Sequence, residues 1–182
     1  MKTIGKRLRT SMIAASFAVA SLAATNAIAA LDMFLKVDGI AGESADSKHK
    51  NEIDVLAWSW GASEQARAQR SASQPFCPQA LSLTKYVDRA TPLLLTKAAM
   101  GDSIPSATLT VRKSGADPIE YVVVTFTGVR VASVSTGGSG GEDRLTENVA
   151  FNFASATVTY TPQKPDGSAG SPVSSTVGPS CF

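Results

Sequence analysis

From residue 33 to residue 161 the chain alternates apolar and polar positions in short runs separated by turn residues, a pattern that predicts β-strands. Residues 33–37 alternate weakly and stop at the turn pair Asp38-Gly39. Residues 43–51 are polar and predict a loop. The run 53–60 puts Ile53, Val55 and Ala57 on one face and Leu56, Trp58 and Trp60 on the other. Two apolar faces predict a strand buried on both sides or lying at an interface. Residues 81–87 read as a strand, and in 107–112 Leu109 and Val111 alternate with Thr108 and Thr110. Residues 121–134 are rich in Val, Thr and Phe, as strands are, with Gly128 marking a bend or bulge. Residues 149–153 and 157–161 predict a last pair of strands.

Four stretches depart from this pattern. Thr91-Pro92 opens a helix, because Thr can cap and Pro suits the first helical position, and Gly101 is its natural stop. Residues 62–80 are polar and broken by Pro75 and Pro78, which predicts a long loop, and loops of that length are often functional. Residues 136–141 form a glycine loop. From Pro162 onward Pro, Gly, Ser, Thr and Val dominate, which predicts a flexible tail. No internal repeat is visible. The reading is one mostly-β domain with a single short helix.

The N-terminus changes the charge balance. Lys2, Lys6, Arg7 and Arg9 form a basic head, residues 12–24 carry no charge, and Ala27-Ile28-Ala29 precedes Ala30. Head, apolar middle and A-x-A site together predict a secretory signal peptide cleaved between Ala29 and Ala30. Its apolar run falls short of the roughly 20 residues that cross a bilayer. The formal charge of +2 belongs to this segment, since its removal takes four basic residues and no acidic one. The remaining chain is mildly acidic. The expected division is a signal peptide over 1–29, a domain over 30–164 and a tail over 165–182, in an exported protein, periplasmic or secreted. No later run predicts a stable membrane anchor.

The chemistry-bearing residues are few. Two cysteines and one histidine are too few for a structural Cys/His zinc site. No basic stripe interleaved with aromatics argues for nucleic acid. Gly137-Gly138-Ser139-Gly140-Gly141 matches the G-x-S-x-G turn of serine hydrolases, but no helix pattern follows it and His49 lies upstream, out of the order that turn requires. A phosphate cradle is opposed by Glu142-Asp143, which follow directly. These glycines predict a structural connection. His49, among Lys48, Lys50 and Asn51, predicts a solvated surface side chain. Glu142, Asp143, Arg144 and Glu147 predict a local salt-bridge network rather than a catalytic carboxylate pair. Trp58 and Trp60 predict core or interface anchors.

Several segments are familiar in combination: Asp32-Met33-Phe34-Leu35-Lys36, Gly42-Glu43-Ser44, and Ile53-Asp54-Val55-Leu56-Ala57-Trp58-Ser59-Trp60-Gly61. Leu83-Thr84-Lys85-Tyr86-Val87-Asp88 and Thr91-Pro92 follow. The longest is Val134-Ser135-Thr136-Gly137-Gly138-Ser139-Gly140-Gly141-Glu142-Asp143-Arg144-Leu145-Thr146-Glu147-Asn148. In this order, over residues 31–164, they closely resemble the haemolysin-coregulated protein family, the tube proteins of type VI secretion systems. The resemblance implies a mainly-β fold, a small β-barrel of two packed sheets with one short flanking α-helix. It implies hexameric rings that stack into a hollow tube exported with effector proteins, and neither enzyme activity nor a cofactor. A binding module that keeps the fold without building tubes is the alternative. The polar segment 62–80 falls where the family has an extended loop that helps rings stack.

The sequence departs from that family in three ways. Members normally lack a signal peptide. Their tails usually end in a strand with a Lys-x-Gly-Trp-Asn-like motif, which residues 174–182 lack. The third departure is the pair Cys77 and Cys181. An oxidising compartment favours a bridge between them, with two free thiols or a Cys181 link between subunits as the other arrangements.

Overall fold

The structure is a computed structural model, and it describes residues 31–62, 78–113, 118–141 and 143–178. The elements follow in the order β1 (Leu31–Val37), β2 (Ile53–Ser59), β3 (Leu81–Tyr86), α1 (Thr91–Met100), β4 (Ser103–Lys113), β5 (Glu120–Thr136), β6 (Thr146–Asn152), β7 (Ser155–Tyr160) and β8 (Val173–Val177). All pairings are antiparallel, in the order β4-β1-β2-β3-β6-β5-β7-β8. An added β4–β5 ladder joins the ends of the first six strands into a closed barrel. Closure leaves those six strands without an open edge. The mainly-β barrel expected from the sequence is the fold observed.

The long strand β5 organises the molecule. One edge carries β4 from Glu120 to Arg130. The other carries β7 over Val122–Thr127 and then β6 over Arg130–Thr136. The change falls at Gly128, whose φ of 57° is left-handed and where a side chain would come within 2.9 Å of Ala154 Cβ. Inward positions shift there from Val124 and Phe126 to Val129 and Val131. Strands β6 and β7 are thus not partners, as the sequence suggested, but successive neighbours of β5 joined through Phe153-Ala154.

The core fills the barrel with Leu35, Ile53, Val55, Leu83, Leu109, Val124, Val149 and Phe151 among others, each at most 5% exposed. The two faces expected for β2 are merged by a bulge. Val55 opposes Lys85 and Ala57 opposes Thr84, so Leu56 is the extra residue and swings outward, 39% exposed. Beyond it Trp58 and Trp60 turn to the side of Ile53 and Val55 and pack against the core. The ring of Trp60 lies edge-on to Phe126 and Phe153, 5.7 Å from each centroid.

Helix α1 begins at Thr91-Pro92 and stops at Gly101, whose φ is 67° and whose N–H donates to the Lys97 carbonyl. Thr91 is not its cap, contrary to the sequence reading. Ala90 holds that place without a side-chain bond, and the Thr91 hydroxyl is engaged elsewhere. Residues 165–182, expected as a flexible tail, contribute β8, paired with β7 from Ala156–Val177 to Tyr160–Val173. Ala29, Ala30, Cys77, Cys181, Glu142 and most of the 62–80 segment lie outside the described residues.

Candidate functional site

Two charged clusters brace the barrel, and both use residues whose strand positions decide their neighbours. In β3, Leu81, Leu83 and Lys85 alternate inward; in β6, Glu147, Val149 and Phe151 do the same. The register sets Lys85 directly opposite Glu147. Both are fully buried, and Lys85 Nζ donates to Glu147 Oε1 at 2.7 Å, Asp88 Oδ1 at 2.7 Å and the Tyr86 carbonyl at 2.8 Å. Thr91 Oγ1 donates to the same Glu147 oxygen at 2.9 Å, which ties the start of α1 to the barrel. This corrects the local network expected around Glu147. Its ion partner is Lys85, 62 positions away, because β6 turns that carboxylate inward. Nearby Arg144 lies instead over the Tyr86 ring, 3.9 Å from its centroid.

The second cluster lies outside the barrel, where residues 41–52 fold over β1 and β4. Phe34 points away from the barrel core but is only 5% exposed, because the His49 ring stacks on it at 4.3 Å and the Arg112 guanidinium sits 5.0 Å from its centroid. His49 is therefore buried, at 6% exposure, and not the solvated side chain its polar neighbours suggested. Its Nδ1 lies 2.9 Å from Glu52 Oε2 and its Nε2 3.4 Å from Glu120 Oε1. Arg112 forks onto both oxygens of Asp46, at 3.1 and 2.6 Å, and reaches Asp32 at 3.0 Å. The hydrogen bonds from Arg112, then those from the Lys48 and His49 backbone, hold the Asp46 carboxyl well below the usual carboxylate range, while Asp46 raises the Arg112 guanidinium. Both ring nitrogens of His49 face carboxylates, and its stacking on Phe34 makes it a brace. Among the described residues no group of three or more His, Cys, Asp or Glu is arranged to hold a metal ion.

The glycine loop joins β5 to β6. Gly138 lies against Leu145, where a side chain would collide, and Gly141 has φ 134°. Gly137 and Gly140 face open space. A structural reason for glycine is thus visible at two of the four positions. Ser135, Thr136, Gly137, Gly138, Ser139, Thr146 and Asn148 line a shallow open hollow of about 410 Å³ without a charged group. Ser139 has neither a helix after it nor His49 on its loop.

The third feature is apolar surface. On α1 only Thr91 and Leu94 are buried, and Leu93, Leu95 and Met100 stand 49%, 41% and 71% exposed, Leu93 and Met100 on one side of the helix and Leu95 on the other. Val87 and Leu145, joined by the Val87 N–H to Leu145 carbonyl bond, are 37% and 43% exposed. Sequence reading missed Lys85, Arg112 and Asp46. The signal was available for Lys85 alone, as a charge in phase with Leu81 and Leu83; Arg112 is covered by a loop whose path no periodicity encodes.

Comparison with known proteins agrees with this architecture. A family model described as "Type VI secretion system effector, Hcp" matches residues 34–160. The chain is 50% identical over 142 residues to "Protein hcp1" of Pseudomonas aeruginosa, covering 76% of this chain and 88% of that protein. Among solved structures it is similar to Hcp1 from Salmonella typhimurium, with TM-score 0.69 and 40% identity over 82% of this chain and 94% of that one. A type VI secretion system effector from Yersinia pestis gives TM-score 0.68 and 34% identity over 81% and 99%. The matched residues cover the barrel from Phe34 onward, the Lys85–Glu147 cluster, the Phe34, Asp46, His49 and Arg112 members of the second cluster and the glycine loop, and on that ground the chain belongs to the Hcp family of type VI secretion proteins.

Proposed function

We propose that this protein is an exported, ring-forming subunit of the type VI secretion tube, assembled as stacked hexamers that carry effector proteins. The family match over residues 34–160, with a relative 50% identical, carries the reading. The role is structural rather than enzymatic, as the family's is. Subunits of a ring need heterologous contacts, one patch meeting a different patch on the next copy. The exposed Leu93 and Met100 of α1 and the Val87–Leu145 step are apolar surface on which such a contact can form. Light scattering across a concentration series tests assembly, with a six-subunit particle expected.

The 1–29 segment adds a second element to the proposal, a leader that routes the chain out of the cytoplasm. N-terminal sequencing of protein recovered from cells is expected to begin at Ala30. Recovery of Met1 from the exported fraction contradicts the leader while leaving the tube role intact.

A further inference from the structure

Strand β8 lies beyond the family-matched residues, which end at 160. It ends the sheet, pairing with β7 on one side and with no described strand on the other. Four of its five residues are exposed, Val173 at 68%. Natural edge strands are guarded by charges, proline or bulges that discourage pairing with another chain. Residues 173–177 read Val-Ser-Ser-Thr-Val, with no charge and no proline, and the ladder to β7 runs without a bulge. Among the described residues this edge is open and unguarded.

Its sequence is complementary to itself. Laid antiparallel on a second copy, with Ser175 opposite Ser175, each Val173 meets a Val177 and each Ser174 meets a Thr176. On the β7 side the same residues already form hydroxyl pairs, Thr157–Thr176 at 2.9 Å and Thr159–Ser174 at 2.8 Å. A hydroxyl has one donor and two acceptor sites, so each can bond on both sides. The pairing would continue the row through four strands: Thr157, Thr176, the partner's Ser174 and the partner's Thr159. We propose that β8 is a self-association edge, joined to the β8 of a second copy about a two-fold axis through Ser175. Such a contact is isologous and so differs in kind from the heterologous contacts that close a ring. It couples two chains. It does not rest on the tube reading.

Five paired residues make a small contact, so association is weak and is read at high protein concentration. Sedimentation equilibrium of the full mature chain tests it with Ser175→Lys, Ser175→Glu and their equal mixture, circular dichroism confirming that both variants fold. Like charges directly opposite oppose strand pairing and opposite charges favour it. Expected is a wild-type base unit that doubles, each variant alone weakened about fivefold or more in that step, and doubling recovered in the mixture. Wild type that never doubles, variants that double like wild type, or a mixture that fails to recover overturns the proposal. A foreign extended segment as the true occupant of this edge would give one of those contrary results. The size of the base unit, hexamer or monomer, reports on the ring reading separately.

Discussion

Lys85 shows what a single inward charge demands. Its ammonium is fully buried with Glu147, Asp88 and Thr91, and such a pair is costly to break because the survivor is left uncompensated. Lys85→Met is expected to lower stability by about 3 kcal/mol or more. Lys85→Met with Glu147→Leu is expected to cost less than Lys85→Met alone, and urea unfolding of both variants measures the difference. Asp46 gives a pH signature. Its folded carboxyl is depressed below the unfolded value of about 3.9, so its contribution is present above that value and is lost as pH falls through the depressed one. The gap in urea midpoint between wild type and Asp46→Asn should be widest near neutrality and close in strong acid. A gap independent of pH contradicts the Arg112–Asp46 account. The sequence neighbours of His49 are polar, but its burial comes from Phe34 of β1 and Glu120 of β5, with Glu52 of its own loop on the other ring nitrogen.

At the scale of elements, α1 was legible because Pro92 and Gly101 are local signals, and β1, β3 and β5 because alternation is local too. The bulge at Leu56 was not legible, since it depends on how β2 registers against β3. Nor was β8, whose Ser and Thr residues are stabilised by the edge of β7 and carry no apolar period of their own. The helix also separates folding from assembly. Leu94 is fully buried, so Leu94→Ala is expected to cost about 2–5 kcal/mol. Leu93→Glu with Met100→Glu sits on the exposed side and should change stability by no more than about 0.5 kcal/mol per site. The same double variant is expected to lower the fraction of protein in rings, read by size-exclusion chromatography. Unchanged ring yield would move the subunit contact away from α1.

For the whole molecule, the ordered segments from Asp32 to Asn148 carried the family likeness, and the fold followed from that likeness more than from any single motif. The closed barrel leaves its six strands no edge to offer, so pairing strand to strand with another chain is left to the β7–β8 extension, and any other contact is made by side chains and loops. That geometry suits a building block whose interior is settled before it assembles. Closure of the chain into a ring of six is the central expectation. Multi-angle light scattering of the purified protein over a wide concentration range, with electron microscopy of the same sample, tests it most directly. The account predicts a particle of six chains, alone or stacked, with an open centre. A well-folded monomer at every concentration, with no ring in the images, would contradict it.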